Sequence, residues 1–330
     1  MEQRAFGRTG REISKIGLGT WQLGGDWGEV SDADAFAVLD AAAESGVTLF
    51  DTADVYGDGR SERRIAAWRK ANPSWQGTVI TKMGRRAEQV PSNYTAANFR
   101  AWLDRSRANL EVDTLDLVQL HCPPSEVYRD DAVFDALDAF VADGTIAGYG
   151  VSVEQESEAL DAIARPGVRS VQIILNAFRL KPLDRVVPAA REAGVAILAR
   201  VPLASGLLSG RYDEDTTFPP NDHRTFNRDG AAFDRGETFS GVNFAEGVAA
   251  AREFKALVED LAPAGTSSAQ AALAWLVSRP GVTAAIPGAR SVEQARANAS
   301  AAEVELPEAF HAGIEAIYDR HFRAVIHPKW

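Results

Sequence analysis

Eight short apolar runs alternate with stretches of helical period, and this alternation constrains the chain more than any other feature of its sequence. The runs fall at 16–21, 47–50, 79–82, 115–120, 146–151, 171–176, 195–199 and 283–287. Helix patterns lie between them near 31–45, 61–70, 96–110, 130–142, 154–164, 184–192, 245–261 and 266–278, and another begins near Ser291. Local signals agree: Ser31 is a helix-capping residue, and Gly46, Gly144 and Gly194 stop helices just before strands. Strand–helix alternation calls for parallel strands joined by right-handed crossovers. Eight such units predict an α/β fold, a closed (β/α)8 TIM barrel, as one domain over residues 1–330. A Gly-Arg-Thr-Gly turn within residues 4–13 predicts an N-terminal β-hairpin closing one end. An open doubly wound sheet fits less well, because Gly17-Leu-Gly19-Thr-Trp lacks the third glycine of a phosphate-binding fingerprint. The polar stretch 209–244, before the last strand–helix unit, is too long for an ordinary connection. It reads as an active-site flap or a partly disordered segment.

Composition narrows the functional classes. The 330 residues are 45% hydrophobic and 25% charged, as in soluble globular proteins, with a net charge of −11. That charge argues against nucleic acid and anionic membranes as partners. No apolar run approaches the ~20 residues of a membrane span, and the first residues carry no apolar signal core. The single cysteine, Cys122, forms no intrachain disulfide and suits a reduced cytoplasmic location. Five histidines and one cysteine show no ligand-like spacing, so no metal is expected. The oligomeric state is left open.

In a barrel, residues just past the strand ends converge on one face, where active sites lie. Asp51 follows the second run, Lys82 ends the third and His121 follows the fourth; Tyr56 sits in the loop after Asp51. An ammonium beside a phenol stabilises the phenolate, and a carboxylate holds that ammonium charged. A neutral imidazole donates a hydrogen bond to a carbonyl oxygen. This set lacks a strong nucleophile and suits proton transfer coupled to hydride transfer from a cofactor. Glu62 is placed to fix the Tyr56 loop. Cys122 reads as packed rather than reactive, with nothing nearby in sequence to activate it.

The chain resembles the aldo-keto reductases over nearly its whole length. The resemblance rests on Gly17-Leu-Gly19-Thr20-Trp21, Asp51-Thr-Ala-x-x-Tyr56-Gly, Ile80-Thr81-Lys82, Leu120-His121, Gly148-x-Gly150-Val-Ser152 and Ile286-Pro287-Gly288-Ala-Arg290. It implies a catalytic tetrad of Asp51, Tyr56, Lys82 and His121, with Tyr56 as proton donor or acceptor. It also implies NADP(H), or less often NAD(H), extended across the barrel mouth. Gly19, Thr20, Trp21 and Asp51 would border the cofactor, and Ser152 and Gln172 would hold the nicotinamide carboxamide. The loop with Pro202, Leu203, Ser205, Gly206, Leu208 and Gly210 would follow the pyrophosphate. Gly288, Ala289, Arg290, Gln294 and Asn298 would surround the adenosine end, with Arg290 suited to a 2′-phosphate. Candidate substrate residues are Trp21, Trp27, Val55, Tyr56 and His121, with the 209–244 stretch.

Two positions depart from the family pattern. Val153 stands where an asparagine is usual. Arg200 stands where an aromatic residue often stacks on the nicotinamide, and its charge is expected to favour the reduced cofactor. The leading reading is reduction of an aldehyde, ketone or sugar, or the reverse oxidation. The alternative is a cofactor-binding regulatory or interaction protein on the same fold. A two-carboxylate hydrolase, with Asp51 and Glu62, fits the paired Lys82 and Tyr56 poorly.

Overall fold

A computed structural model describes residues 1–24 and 30–330. Strands β1 (Gln3–Ala5) and β2 (Glu12–Ser14) pair as an antiparallel hairpin. Eight further strands follow: β3 (Leu18–Gly19), β4 (Leu49–Asp51), β5 (Thr78–Met83), β6 (Leu117–His121), β7 (Tyr149–Ser152), β8 (Val168–Ile174), β9 (Ala196–Arg200) and β10 (Val282–Ala285). They form one parallel sheet in sequence order. Its two edges meet. Ile16 bridges Ala285 and Gly19 bridges Gly288, with the Gly17 N–H donating to the Ala285 carbonyl at 2.8 Å and the Gly19 N–H to that of Pro287 at 3.0 Å. The sheet is therefore a closed (β/α)8 barrel. β3 is shorter than the apolar run around it because the chain turns at once into a 3-10 helix, Trp21–Gly24.

Side chains alternate across a strand, and this period of two builds the interior. Phe6, Ile13, Leu49, Ile80, Leu117, Ala196, Leu198 and Ala284 form a buried plug, so the hairpin closes the bottom of the barrel. One step of two further along the same strands lie Asp51, Lys82, Gln119 and Arg200. The rule that sends Leu49, Ile80, Leu117 and Leu198 inward thus delivers polar groups to the mouth.

The outer helices follow their sequence signals. Ser31 Oγ accepts from the Asp34 N–H to cap Asp32–Glu44, and Thr95 caps Ala96–Leu110 in the same way. Gly194, at φ 66°, ends Val186–Ala193 in the left-handed conformation that favours glycine. The helix Glu308–His321 was not singled out from the sequence. It buries Phe310, Ile314, Ile317 and Tyr318 and packs against Phe244–Leu261. Among the described residues, no helix is long and apolar enough to cross a membrane.

The stretch 209–244 folds over the mouth through short turns, His223–Phe226, Arg235–Glu237 and Phe239–Gly241. It is tied down at several points. Asn176 Nδ2 donates to Ser240 Oγ at 2.7 Å, and the Phe239 N–H donates to Ser205 Oγ at 3.0 Å. Trp330 Nε1 donates to Asp234 Oδ1 at 3.1 Å, while its ring lies 4.3 Å from the Arg179 guanidinium.

Candidate active site

Lys82 is the centre of the polar layer at the mouth. Its Nζ donates to Asp51 Oδ1 at 2.6 Å, to the Thr52 carbonyl at 2.8 Å and to Tyr56 Oη at 3.4 Å. The ion pair lies out of solvent, Lys82 being 1% and Asp51 3% exposed. A buried charge pair survives only when its remaining hydrogen-bonding capacity is filled. Here Gln172 Nε2 fills it, donating to Asp51 Oδ2 at 2.8 Å and to Gln119 Oε1 at 3.1 Å, while Gln119 Nε2 donates to Ser170 Oγ at 3.0 Å. Burial opposes the charge on Lys82, but Asp51 and Tyr56 hold its ammonium above the ordinary range. Burial also pushes the Tyr56 phenol up, and Lys82 offsets this only in part. In the folded barrel burial outweighs the lysine's lowering effect, and Tyr56 is a neutral phenol.

The Tyr56 loop is held by backbone contact. Gly57 has φ +58°, and a Cβ there would lie 1.9 Å from the Gly24 carbonyl oxygen. Behind it, Glu62 accepts from Thr81 Oγ1 at 2.6 Å and Asn109 Nδ2 at 2.8 Å, which ties the following helix to β5. His121 faces Tyr56 edge-on, with ring centroids 6.1 Å apart. Burial, with Arg85, Lys82 and Arg200, pushes the His121 imidazole well below its ordinary range, so it is neutral. A neutral phenol held by an ammonium, beside a neutral imidazole, can give a proton to a carbonyl oxygen and reclaim it in the reverse direction.

Asp51, Tyr56 and His121 stand at the inner end of a cleft of about 510 Å³, with Lys82 buried behind them. From Asp51, Tyr56 and His121 the cleft runs past Ser152, Gln172 and Arg200, then along Pro202, Leu203, Ser205 and Gly206, to Gly288, Arg290, Gln294 and Asn298. Gly19, Thr20 and Trp21 line it too. Of the expected cofactor residues, Leu208 and Ala289 are instead packed in the hydrophobic core, and Gly210 ends the Ala204–Ser209 turn. At the far end Ser291 caps the helix Val292–Ser300, and the Arg290 N–H donates to Gln294 Oε1 at 2.8 Å. The elongated cleft, closed by a helix N-terminus, has the shape and polarity that a dinucleotide needs. The long stretch adds Arg211, Tyr212, His223, Arg224 and Glu237 to its walls.

On the substrate side, the Trp21 ring stacks near Tyr56 at 5.9 Å and lies 5.3 Å from His223 and 6.2 Å from Phe233. The long stretch thus closes an aromatic wall beside the phenol. Val55 is half-buried on the Tyr56 loop and is not among the residues lining the cleft. Trp27 lies outside the described residues. Burial pushes the Cys122 thiol up to about 12, so it is protonated and unreactive.

Sequence reasoning missed a second charged group at this mouth. Arg85, Glu154 and Glu237 surround Arg200, whose Nη2 also donates to the Val153 carbonyl at 3.0 Å. Val153 turns its side chain into the core. Asp54 was passed over as well. Both its carboxylate oxygens are buried without a hydrogen-bond partner, and burial, with Glu62, pushes it up to about 7.

The chain matches the aldo/keto reductase family over residues 15–319. It belongs to that family. An uncharacterized oxidoreductase of Mycobacterium bovis is 33% identical over 306 residues, covering 89% of this chain and 86% of the relative. The aldo-keto reductase YhdN of Bacillus subtilis is 29% identical over 315 residues, covering 90% and 87%. A solved glycerol dehydrogenase from Gluconobacter oxydans superposes with a TM-score of 0.78 at 28% identity, covering 99% of this chain and 98% of that one. This aldo/keto reductase is accordingly an NAD(P)-dependent oxidoreductase acting on CH–OH or C=O groups.

Proposed function

We propose that this aldo/keto reductase, a single domain, reduces the carbonyl of an aldehyde, ketone or sugar with NADPH, with Tyr56 as the proton donor, and runs in reverse as an alcohol dehydrogenase. The observation that carries this reading is the Lys82 ammonium, which touches both Asp51 Oδ1 at 2.6 Å and Tyr56 Oη at 3.4 Å. The bound cofactor supplies the hydride. Tyr56 Oη gives its proton to the carbonyl oxygen, and Lys82 stabilises the phenolate left behind. Asp51 keeps Lys82 charged and in place. Neutral His121 orients the carbonyl oxygen as a hydrogen-bond donor. Ser152 and Gln172 bind the carboxamide end of the cofactor, and Trp21 walls the substrate.

The preference for NADPH rests on Arg290 beside the N-terminus of Val292–Ser300, where a 2′-phosphate gains from the positive end of the helix dipole and from a guanidinium. A relative in Schizosaccharomyces pombe, 28% identical over 306 residues, carries NADP(+) in its name. The single thiol suits the reducing cytoplasm. An aldehyde, ketone and sugar panel run with both cofactors tests the reading. Consumption of NADPH with at least one carbonyl class, faster than of NADH, is expected. Cofactor binding with no turnover on any class points instead to the regulatory alternative, and no cofactor binding refutes both.

A further inference from the structure

Four charged side chains form a closed ring at the barrel mouth. Arg85 follows β5, Glu154 follows β7, Arg200 ends β9, and Glu237 comes from the long stretch. Arg85 Nη2 lies 3.4 Å from Glu154 Oε1 and 2.8 Å from Glu237 Oε1. Arg200 closes the other side, its Nη2 2.8 Å from Glu154 Oε2 and its Nη1 3.7 Å from Glu237 Oε2. Arg200 and Glu237 line the cleft together with Ser152 and Gln172. The ring is neutral when both carboxylates are ionised and carries +1 when one is protonated. An oxidised nicotinamide is a cation and a reduced one is neutral, so the ring's charge acts on one form and not the other. In a site shielded from water such a charge is felt strongly.

We propose that Glu154 and Glu237 set the preference of the cofactor site between oxidised and reduced nicotinamide, Glu154 by exchanging a proton with solvent. This rests on the reading that the Ser152–Arg200 end of the cleft takes the nicotinamide. Among the ring members, Glu154 is the one whose charge changes near neutral pH. Burial and Glu237 push it up to about 8 against the pull of Arg200. Arg85 and Arg200, working against burial, hold Glu237 down at about 2, so it stays ionised. Both arginines keep their charge, their guanidiniums held above the ordinary range by the carboxylates.

The other groups facing Glu154 do not replace it. Glu158 accepts from the Glu154 N–H at 2.9 Å, and Arg179 Nη2 donates to the Glu154 carbonyl at 2.8 Å. Asp234 adds a further negative charge from the long stretch. The Cys122 thiol stays neutral below about 12. The expectation that Arg200 simply favours the reduced cofactor is thereby sharpened. Its charge is uncompensated only while Glu154 holds a proton. At low pH the site favours NADPH; as Glu154 ionises, it accepts NADP⁺.

The test is equilibrium binding of NADP⁺ and NADPH, read by tryptophan fluorescence quenching at about pH 6.5 and about pH 9. The ratio of the two dissociation constants is the readout, because titration of the shared 2′-phosphate cancels. In the native protein NADP⁺ should tighten relative to NADPH on the order of tenfold over this range. Glu154→Gln should hold the ratio at its low-pH value throughout. Glu237→Gln should weaken NADP⁺ relative to NADPH even at the higher pH. The native pH step should persist in Tyr56→Phe, which separates it from titration of the phenol. A ratio that does not move with pH, an unchanged step in Glu154→Gln, or parallel loss of both cofactors in Glu237→Gln overturns the proposal. Failure of the native protein to bind either cofactor overturns instead the nicotinamide reading on which it rests.

Discussion

Two charge clusters, one centred on a buried ion pair and one half-buried, share the mouth of this barrel, and they are built differently. The Asp51–Lys82–Tyr56–His121 cluster stands on β4, β5, β6 and one loop that Gly57 presses against Gly24. The Arg85–Glu154–Arg200–Glu237 ring needs a residue carried by the long stretch. The first has one cation and one anion in contact, with two neutral acid–base groups beside them. The second alternates two cations with two anions. A proton donor must hold its position to a fraction of an ångström, which suits strand ends. A charge that only has to match a cofactor's redox state tolerates loop-borne partners.

The largest effect that separates the clusters is expected from Lys82→Met. It leaves the Asp51 carboxylate buried and unpaired and removes the stabilisation of the Tyr56 phenolate. Carbonyl reduction should fall on the order of 10³-fold, with a loss of about 3 kcal/mol in unfolding free energy. The pH-dependent step in the ratio of NADP⁺ to NADPH affinities should persist, because the ring is untouched; loss of the step would mean that the clusters act as one.

A smaller effect should come from the other side. Trp330→Ala removes the indole that bonds Asp234 and stacks on Arg179, and so loosens the segment that carries Glu237. Limited proteolysis should nick 209–244 several-fold faster. Both cofactors should bind a few-fold more weakly, while the rate of the chemical step in single turnovers stays native. A slowed chemical step would show that the strand-built cluster also leans on the long stretch.

How much of this was legible in the sequence follows the same division. Asp51, Lys82 and His121 were readable because each ends or follows a strand, and Tyr56 because it lies five residues on in a short loop. The strand-end rule also reaches Arg85 and Glu154, but no pattern in the sequence says that two loop charges meet. Glu237 carried no such signal. Residues 209–244 lack a helix or strand period, and their course is set by Ser205, Asn176 and Trp330, which are distant in sequence. Arg200 was visible as a departure, and its meaning was not, since the carboxylates that balance it come from two other segments. Leu208 and Ala289 were assigned to the cofactor by motif position, while packing turns their side chains into the core.

The smallest expected effect concerns Asp54, a carboxyl in neither cluster. Its pKa rises from 3.8 to about 7 on folding. The folded protein therefore keeps a proton that the unfolded chain releases. Stability from this group is fully present below the unfolded value and is lost as pH rises through about 7. Asp54→Asn should flatten the decline in Tm between about pH 5 and pH 8 by roughly 2–4 °C. Glu154, raised in the same sense, should leave part of the slope in place. An unchanged slope in Asp54→Asn would show that Asp54 finds a partner on folding.

The most direct test of the central claim is single-turnover reduction of an aldehyde by Tyr56→Phe, with the NADPH dissociation constant measured on the same preparation. The account predicts a rate lower by on the order of 10³-fold with NADPH affinity unchanged. A rate within about tenfold of the native one, at native affinity, would contradict Tyr56 as the proton donor.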